Sequence, residues 1–96
     1  MNTLEPSQPT TFSQTYLIER DAGLLCRILG LYPSRGIDVV AARYEYAAKD
    51  VMNLHVSVGA THEDMADTLR VLVDKASTFV GVIAACEHEA IAVRAA

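Results

Sequence analysis

Val51-Met52-Asn53-Leu54-His55-Val56-Ser57-Val58 is the stretch whose period decides the fold. Met52, Leu54, Val56 and Val58 recur at every second position, with Val51, Asn53, His55 and Ser57 between them. A period of two belongs to a strand, because successive side chains leave a pleated backbone on opposite faces. One face is uniformly apolar and the other mixed, so one side rests on a core while the other tolerates water.

On the N-terminal side of this strand, Ala47-Ala48-Lys49-Asp50 reads as a hairpin loop. It joins a strand over 39–46 that sets Val40, Ala42, Tyr44 and Tyr46 on one side. A further strand over 11–19 carries Phe12, Tyr16 and Ile18 on one face and Ser13, Thr15 and Leu17 on the other. Between these two strands, the polar turn Arg20-Asp21-Ala22-Gly23 leads into a helix over 23–34. Leu24, Leu25, Ile28, Leu31 and Tyr32 give that helix one apolar stripe at three- and four-residue spacing. Pro33 weakens its last turn, and Gly36 suits a left-handed cap.

On the C-terminal side, the Thr61 hydroxyl can cap a second helix, with Asp64 completing a box-like pattern. Met65, Leu69, Leu72 and Val73 form its buried stripe. A fourth strand is expected over 77–85, with Phe79, Val80, Val82 and Ile83. Residues 1–10 read as a flexible leader, 11–86 as one domain, and 87–96 as a tail that is frayed or a short helix. The order strand, helix, strand, strand, helix, strand predicts two interlocked right-handed crossovers. That is an α+β ferredoxin-like βαββαβ fold. Its four-stranded antiparallel sheet runs four, one, three, two, with both helices on one face.

Composition narrows the function. The 96 residues, 51% of them hydrophobic, suffice for one core. Net charge is −4, from eight basic and twelve acidic residues, and no basic cluster exists for phosphate contacts. Nucleic acid is therefore not an expected partner. The longest apolar runs fall far short of a membrane span, and the start has no signal-peptide pattern. Cys26 and Cys86 read as free thiols, Cys26 packed inertly beside the helical stripe, in a cytoplasmic protein. His55, His62 and His88 have no spacing that converges on a metal, and Cys86-Glu87-His88-Glu89 reads as tail. No serine elbow, cysteine–histidine pair or phosphate loop is present, so neither catalytic residues nor a cofactor is expected.

The run from Leu17 through Ile18-Glu19-Arg20-Asp21-Ala22-Gly23-Leu24-Leu25-Cys26-Arg27-Ile28-Leu29-Gly30-Leu31-Tyr32, and on through Ser34-Arg35-Gly36-Ile37-Asp38-Val39, resembles the opening of an ACT domain. It is most similar to the regulatory small subunits of acetolactate (acetohydroxyacid) synthase, and Leu69-Arg70-Val71-Leu72-Val73-Asp74 resembles their second helix end. The resemblance implies a non-catalytic subunit that binds the catalytic large subunit and, in many members, takes valine or a related branched-chain amino acid. The alternative is a free-standing ACT sensor or binding module serving another enzyme. The effector would lie between two copies, held by Arg20, Asp21, Ala22, Gly23 and Leu24 of one and Ile37, Asp38 and Val39 of the other. Arg20 and Asp38 stand where the family has asparagines, and these two charges could pair across the dimer. The predicted edge strand, with Arg43, Tyr44 and Tyr46, would join two sheets side by side into a homodimer.

Overall fold

A computed structural model describes residues 10–59 and 65–91. In chain order these form β1 (Thr10–Glu19), α1 (Ala22–Gly30), a 3-10 turn (Pro33–Arg35), β2 (Val39–Ala48), β3 (Val51–Val58), α2 (Met65–Ala76) and β4 (Val82–Ile91). The sheet order is β2-β3-β1-β4 with every pair antiparallel, the arrangement expected from the alternation and crossovers. Helix caps at Thr61 and Asp64 lie outside the described residues.

Burial follows the period of two. Phe12, Gln14, Tyr16 and Ile18 of β1 and Met52, Leu54, Val56 and Val58 of β3 are buried, whereas the residues alternating with them are not. The covering layer comes from Leu24, Ile28 and Tyr32, spaced four apart along and just past α1, and from Met65, Leu69, Leu72, Val73 and Ala76 of α2. Both helices therefore lie on one face of the sheet, and no described element covers the other. Arg27 on α1 lies over the Phe79 ring at 5.5 Å, tying the outer edges of the helix layer together.

Three elements depart by two residues or more from the sequence-based expectation. α1 ends at Gly30 rather than 34. Pro33 has no N–H to extend the ladder, so the chain tightens into one 3-10 turn and leaves it at Gly36, whose φ is 71°. The second strand runs two residues past 46, and the hairpin is turned by Lys49 and Asp50 alone.

The largest difference is at β4, which begins at Val82 rather than 77 and continues to Ile91, through the start of the presumed tail. The amides of Ser77, Thr78 and Phe79 still bond carbonyls of Val73, Lys75 and Ala76. The Ser77 and Thr78 hydroxyls donate to the Asp74 and Lys75 carbonyls. The open end of α2 thus claims three residues whose composition suits a strand. Glu87, placed by the expectation in a tail, pairs with Gln14 because β1 needs a partner along its second edge.

Gly81 closes this connection. Its φ is 101°, and a Cβ there would sit 2.8 Å from Leu24 Cδ2. Gly81→Ala is expected to lower unfolding free energy by about 1–3 kcal/mol, combining backbone strain with overpacking. Urea denaturation checks it: a fall in midpoint at unchanged slope is the predicted result.

Candidate functional site

The turn between β1 and α1 is organised by its own acid. Asp21 is the N-cap, with extended backbone, and its Oδ1 accepts from the Gly23 amide at 2.9 Å and the Leu24 amide at 3.3 Å. These are the helix-start donors that a ligand carboxylate would need, and here a side chain one turn away already satisfies them. A Cβ on Gly23 would lie 3.3 Å from that same oxygen, so glycine lets the cap fold in closely.

The other predicted site residues separate into three groups. Leu24 and Ile37 are core residues, 1% and 2% exposed. Ala22, Asp38 and Val39 are exposed. Arg20 is exposed too, and within the chain it pairs with Asp50: Nη2 lies 3.0 Å from Oδ1, and the Arg20 amide donates to the Asp50 carbonyl at 3.0 Å. The neighbouring Tyr46 side chain, and then Asp50, raise the guanidinium pKa above its ordinary value. Asp50 has φ of 60°, a left-handed conformation unusual for a residue other than glycine, at the tip that brings its carboxylate to Arg20.

The two halves of the predicted effector site are far apart in one chain. Val39 shares a row with Val58 and Phe12, whereas Glu19, just before the turn, shares a row with Val51. Those rows are seven residue steps apart along the strand, roughly 23 Å at the usual rise. Arg43, Tyr44 and Tyr46 do fall on an edge strand. Tyr44 leans into the core, its hydroxyl buried without a partner among the described residues, and Tyr46 is 68% exposed.

Two clefts open on the described surface. One, of about 490 Å³, is lined by Glu19, Arg20, Asp50, Val51 and Ile83. The other, of about 300 Å³, lies along β2 and β3 at Ala41, Ala42, Arg43, His55 and Ser57, beside the Thr15 Oγ1–His55 Nδ1 hydrogen bond of 3.1 Å. Both cysteines are free and exposed, so Cys26 stands on the outside of α1 rather than packed against its stripe. Among the described residues no three His, Cys, Asp or Glu side chains converge on a metal position. None of the helices there is long and apolar enough to cross a membrane.

A buried polar chain lies under the helices, and sequence reading missed it. Gln14 is fully buried between Phe12 and Tyr16. The Tyr32 hydroxyl donates to Gln14 Oε1 at 2.8 Å and so receives the Tyr16 hydroxyl proton at 2.8 Å. Gln14 Nε2 has no partner among the described residues. Position 14 is in step with 12, 16 and 18, so the alternation itself held the signal that a glutamine faces the core.

Burial is the main cause of high tyrosine pKa values here: Tyr16 is pushed up to about 12, with Tyr32's hydrogen bond opposing and Glu87's charge adding. Tyr32 is raised further by burial and by Tyr16. Because the folded values exceed the unfolded value near 10, the neutral tyrosines contribute their full stability below about pH 10, and that contribution is lost as pH rises toward 12 and beyond. Tyr32→Phe strands Gln14 Oε1 and is expected to cost about 1–3 kcal/mol at neutral pH. The same variant should shrink the alkaline loss of stability, read as denaturant midpoint against pH between 9 and 12.

Neither a family model nor a curated protein matches the chain. Solved structures do. The C-terminal domain of the MgtC protein from Mycobacterium tuberculosis is similar over 97% of this chain and all of that one, with TM-score 0.71 and 18% identity. The ACT domain of GTP pyrophosphokinase from Chlorobium tepidum is similar over 83% of this chain and 99% of its own, with TM-score 0.66 and 15% identity. A homoserine dehydrogenase from Thiobacillus denitrificans is similar over 93% of this chain, which spans 19% of that enzyme, with TM-score 0.68 and 13% identity. At such identities the likeness concerns the fold alone: the chain has the ferredoxin-like α+β fold that these domains share.

Proposed function

We propose that the chain is a non-catalytic regulatory subunit of the kind that serves acetolactate synthase, binding the catalytic large subunit and pairing with a second copy through β2. The observation that carries this reading is the open edge. β2 has ten residues, no proline, and among the described residues only β3 as a neighbour, so its outer side can take a further strand. Val39, Val40 and Tyr46 stand exposed along it, Val40 at 65%. The opening run from Leu17 to Val39 supports the assignment to the synthase subunits.

Antiparallel pairing of two β2 strands about their middle sets the start of one strand beside the end of the other. That brings Ile37, Asp38 and Val39 of one copy to the end of the sheet where Arg20 of the other stands, closing the roughly 23 Å gap found within one chain. An aliphatic amino acid such as valine is the effector this reading favours. The second reading is an amino-acid module serving another enzyme. It is favoured by the likeness to a GTP pyrophosphokinase domain and to one fifth of a homoserine dehydrogenase.

Val40→Asp puts a charge on the open edge at an exposed position and should leave the fold intact while weakening self-association at least tenfold, read by sedentation-equilibrium ultracentrifugation. Added to a synthase large subunit from the same source, the native chain should co-elute and raise its activity. Without co-elution or a rate change, the synthase assignment gives way to the second reading.

A further inference from the structure

Arg43 and Glu45 are the charged residues of β2, and both are exposed. Arg43 lies opposite His55 and Glu45 opposite Asn53, so both stand on the sheet face away from the helices. Among the described residues neither side chain makes a hydrogen bond or an ion pair; the ion pairs there are Arg20–Asp50 and Arg70–Asp67. Tyr44 separates them on the helix face, opposite Leu54 and leaning into the core. Register shifts between Val39 and Ala41 and between Tyr46 and Ala48 bound this regular stretch. Bulges re-aim side chains in this way, and here they fix which residues of the edge share a face.

A second copy that pairs antiparallel with this edge meets two constraints. Residues directly opposite each other share a face, so odd positions oppose odd ones and even positions oppose even ones. Unlike charges placed opposite are favourable, and like charges are not. Three registers about the middle of the strand meet the first constraint. With Arg43 opposite its own copy, two guanidinium groups meet at the axis. With Glu45 opposite its own copy, two carboxylates meet there. With Tyr44 opposite its own copy, Arg43 of each chain faces Glu45 of the other, and every unpaired charge gains a partner.

We propose that β2 recognises a second copy of this chain in the register that sets Tyr44 opposite Tyr44, held by reciprocal Arg43–Glu45 ion pairs on the face away from the helices. The inference rests on the self-pairing in the proposed function and adds which residues meet and what selects this partner. Ala42 then faces Tyr46 on the helix side, small against large, on both sides of the axis. A bare strand edge accepts any extended segment; the order of these charges discriminates between partners and between registers. The pairs are exposed, so they set register more than they add affinity.

The test is a charge swap in the whole chain, read as the self-association constant by sedimentation equilibrium in about 50 mM salt, where exposed charges are little screened. Arg43→Glu and Glu45→Arg should each weaken self-association at least tenfold, because each sets like charges opposite at two places. The chain carrying both substitutions should return to within about threefold of the native constant. Amide spectra of the dilute variants should match the native chain, since both positions are exposed and without partners. Association that Val40→Asp weakens but neither charge substitution changes would overturn the register and leave edge pairing standing. A double variant as weak as the single ones would also overturn it. A native chain that stays monomeric at millimolar concentration would overturn the edge pairing itself, and this inference with it.

Discussion

Everything in this domain depends on β1 being paired along both edges. Like β3, it has both sides occupied for nearly its whole length, by β3 from Phe12 to Glu19 and by β4 from Thr10 to Ile18. Phe12, Gln14, Tyr16 and Ile18 are then committed to the helix layer, including Gln14, which no hydrophobic pattern would choose. The Gln14–Tyr32–Tyr16 hydrogen bonds answer that constraint by giving the glutamine oxygen a donor from the end of α1. With β1 central, β2 is left at one border of the sheet and β4 at the other.

The same constraint positions the functional features. β1 delivers Glu19 and Arg20 to the rim of the sheet, where the β2–β3 hairpin brings Asp50 within 3.0 Å of Arg20. This ion pair is exposed and adds little stability by itself. Its consequence is geometric, since it turns Arg20 toward the bare face and its cleft. Asp21, next in sequence, turns the other way and caps α1. Two adjacent residues thus divide the turn into a closed helix start and an open charged rim.

Legibility in the sequence tracked how local each cause was. The third strand was readable to the residue because alternation over 51–58 is unbroken and sets the core face alone. The first helix was readable from its stripe, and its early end follows from Pro33. The start of β4 was not, because Thr78 and Phe79 have strand-like composition while the carbonyls at the end of α2 decide their fate. The strand character of Glu87 was hidden for a related reason: only the unfilled edge of β1 calls for it. The residues around the β1–α1 turn were singled out by their resemblance to ACT domains. Arg20–Asp50 was not anticipated, because thirty residues separate the pair and only the hairpin joins them. Leu24 and Ile37 were named as ligand contacts, yet their apolar character serves the core.

The central claim is that the outer edge of β2 is an assembly surface which one copy of the chain leaves unsatisfied. Hydrogen exchange of the β2 amides, followed across a hundredfold range of protein concentration, tests it most directly. Alternate amides within 39–48, those pointing away from β3, should become protected as concentration rises, while the β1 and β3 amides stay unchanged. Exchange along β2 that is the same at every concentration would contradict the account.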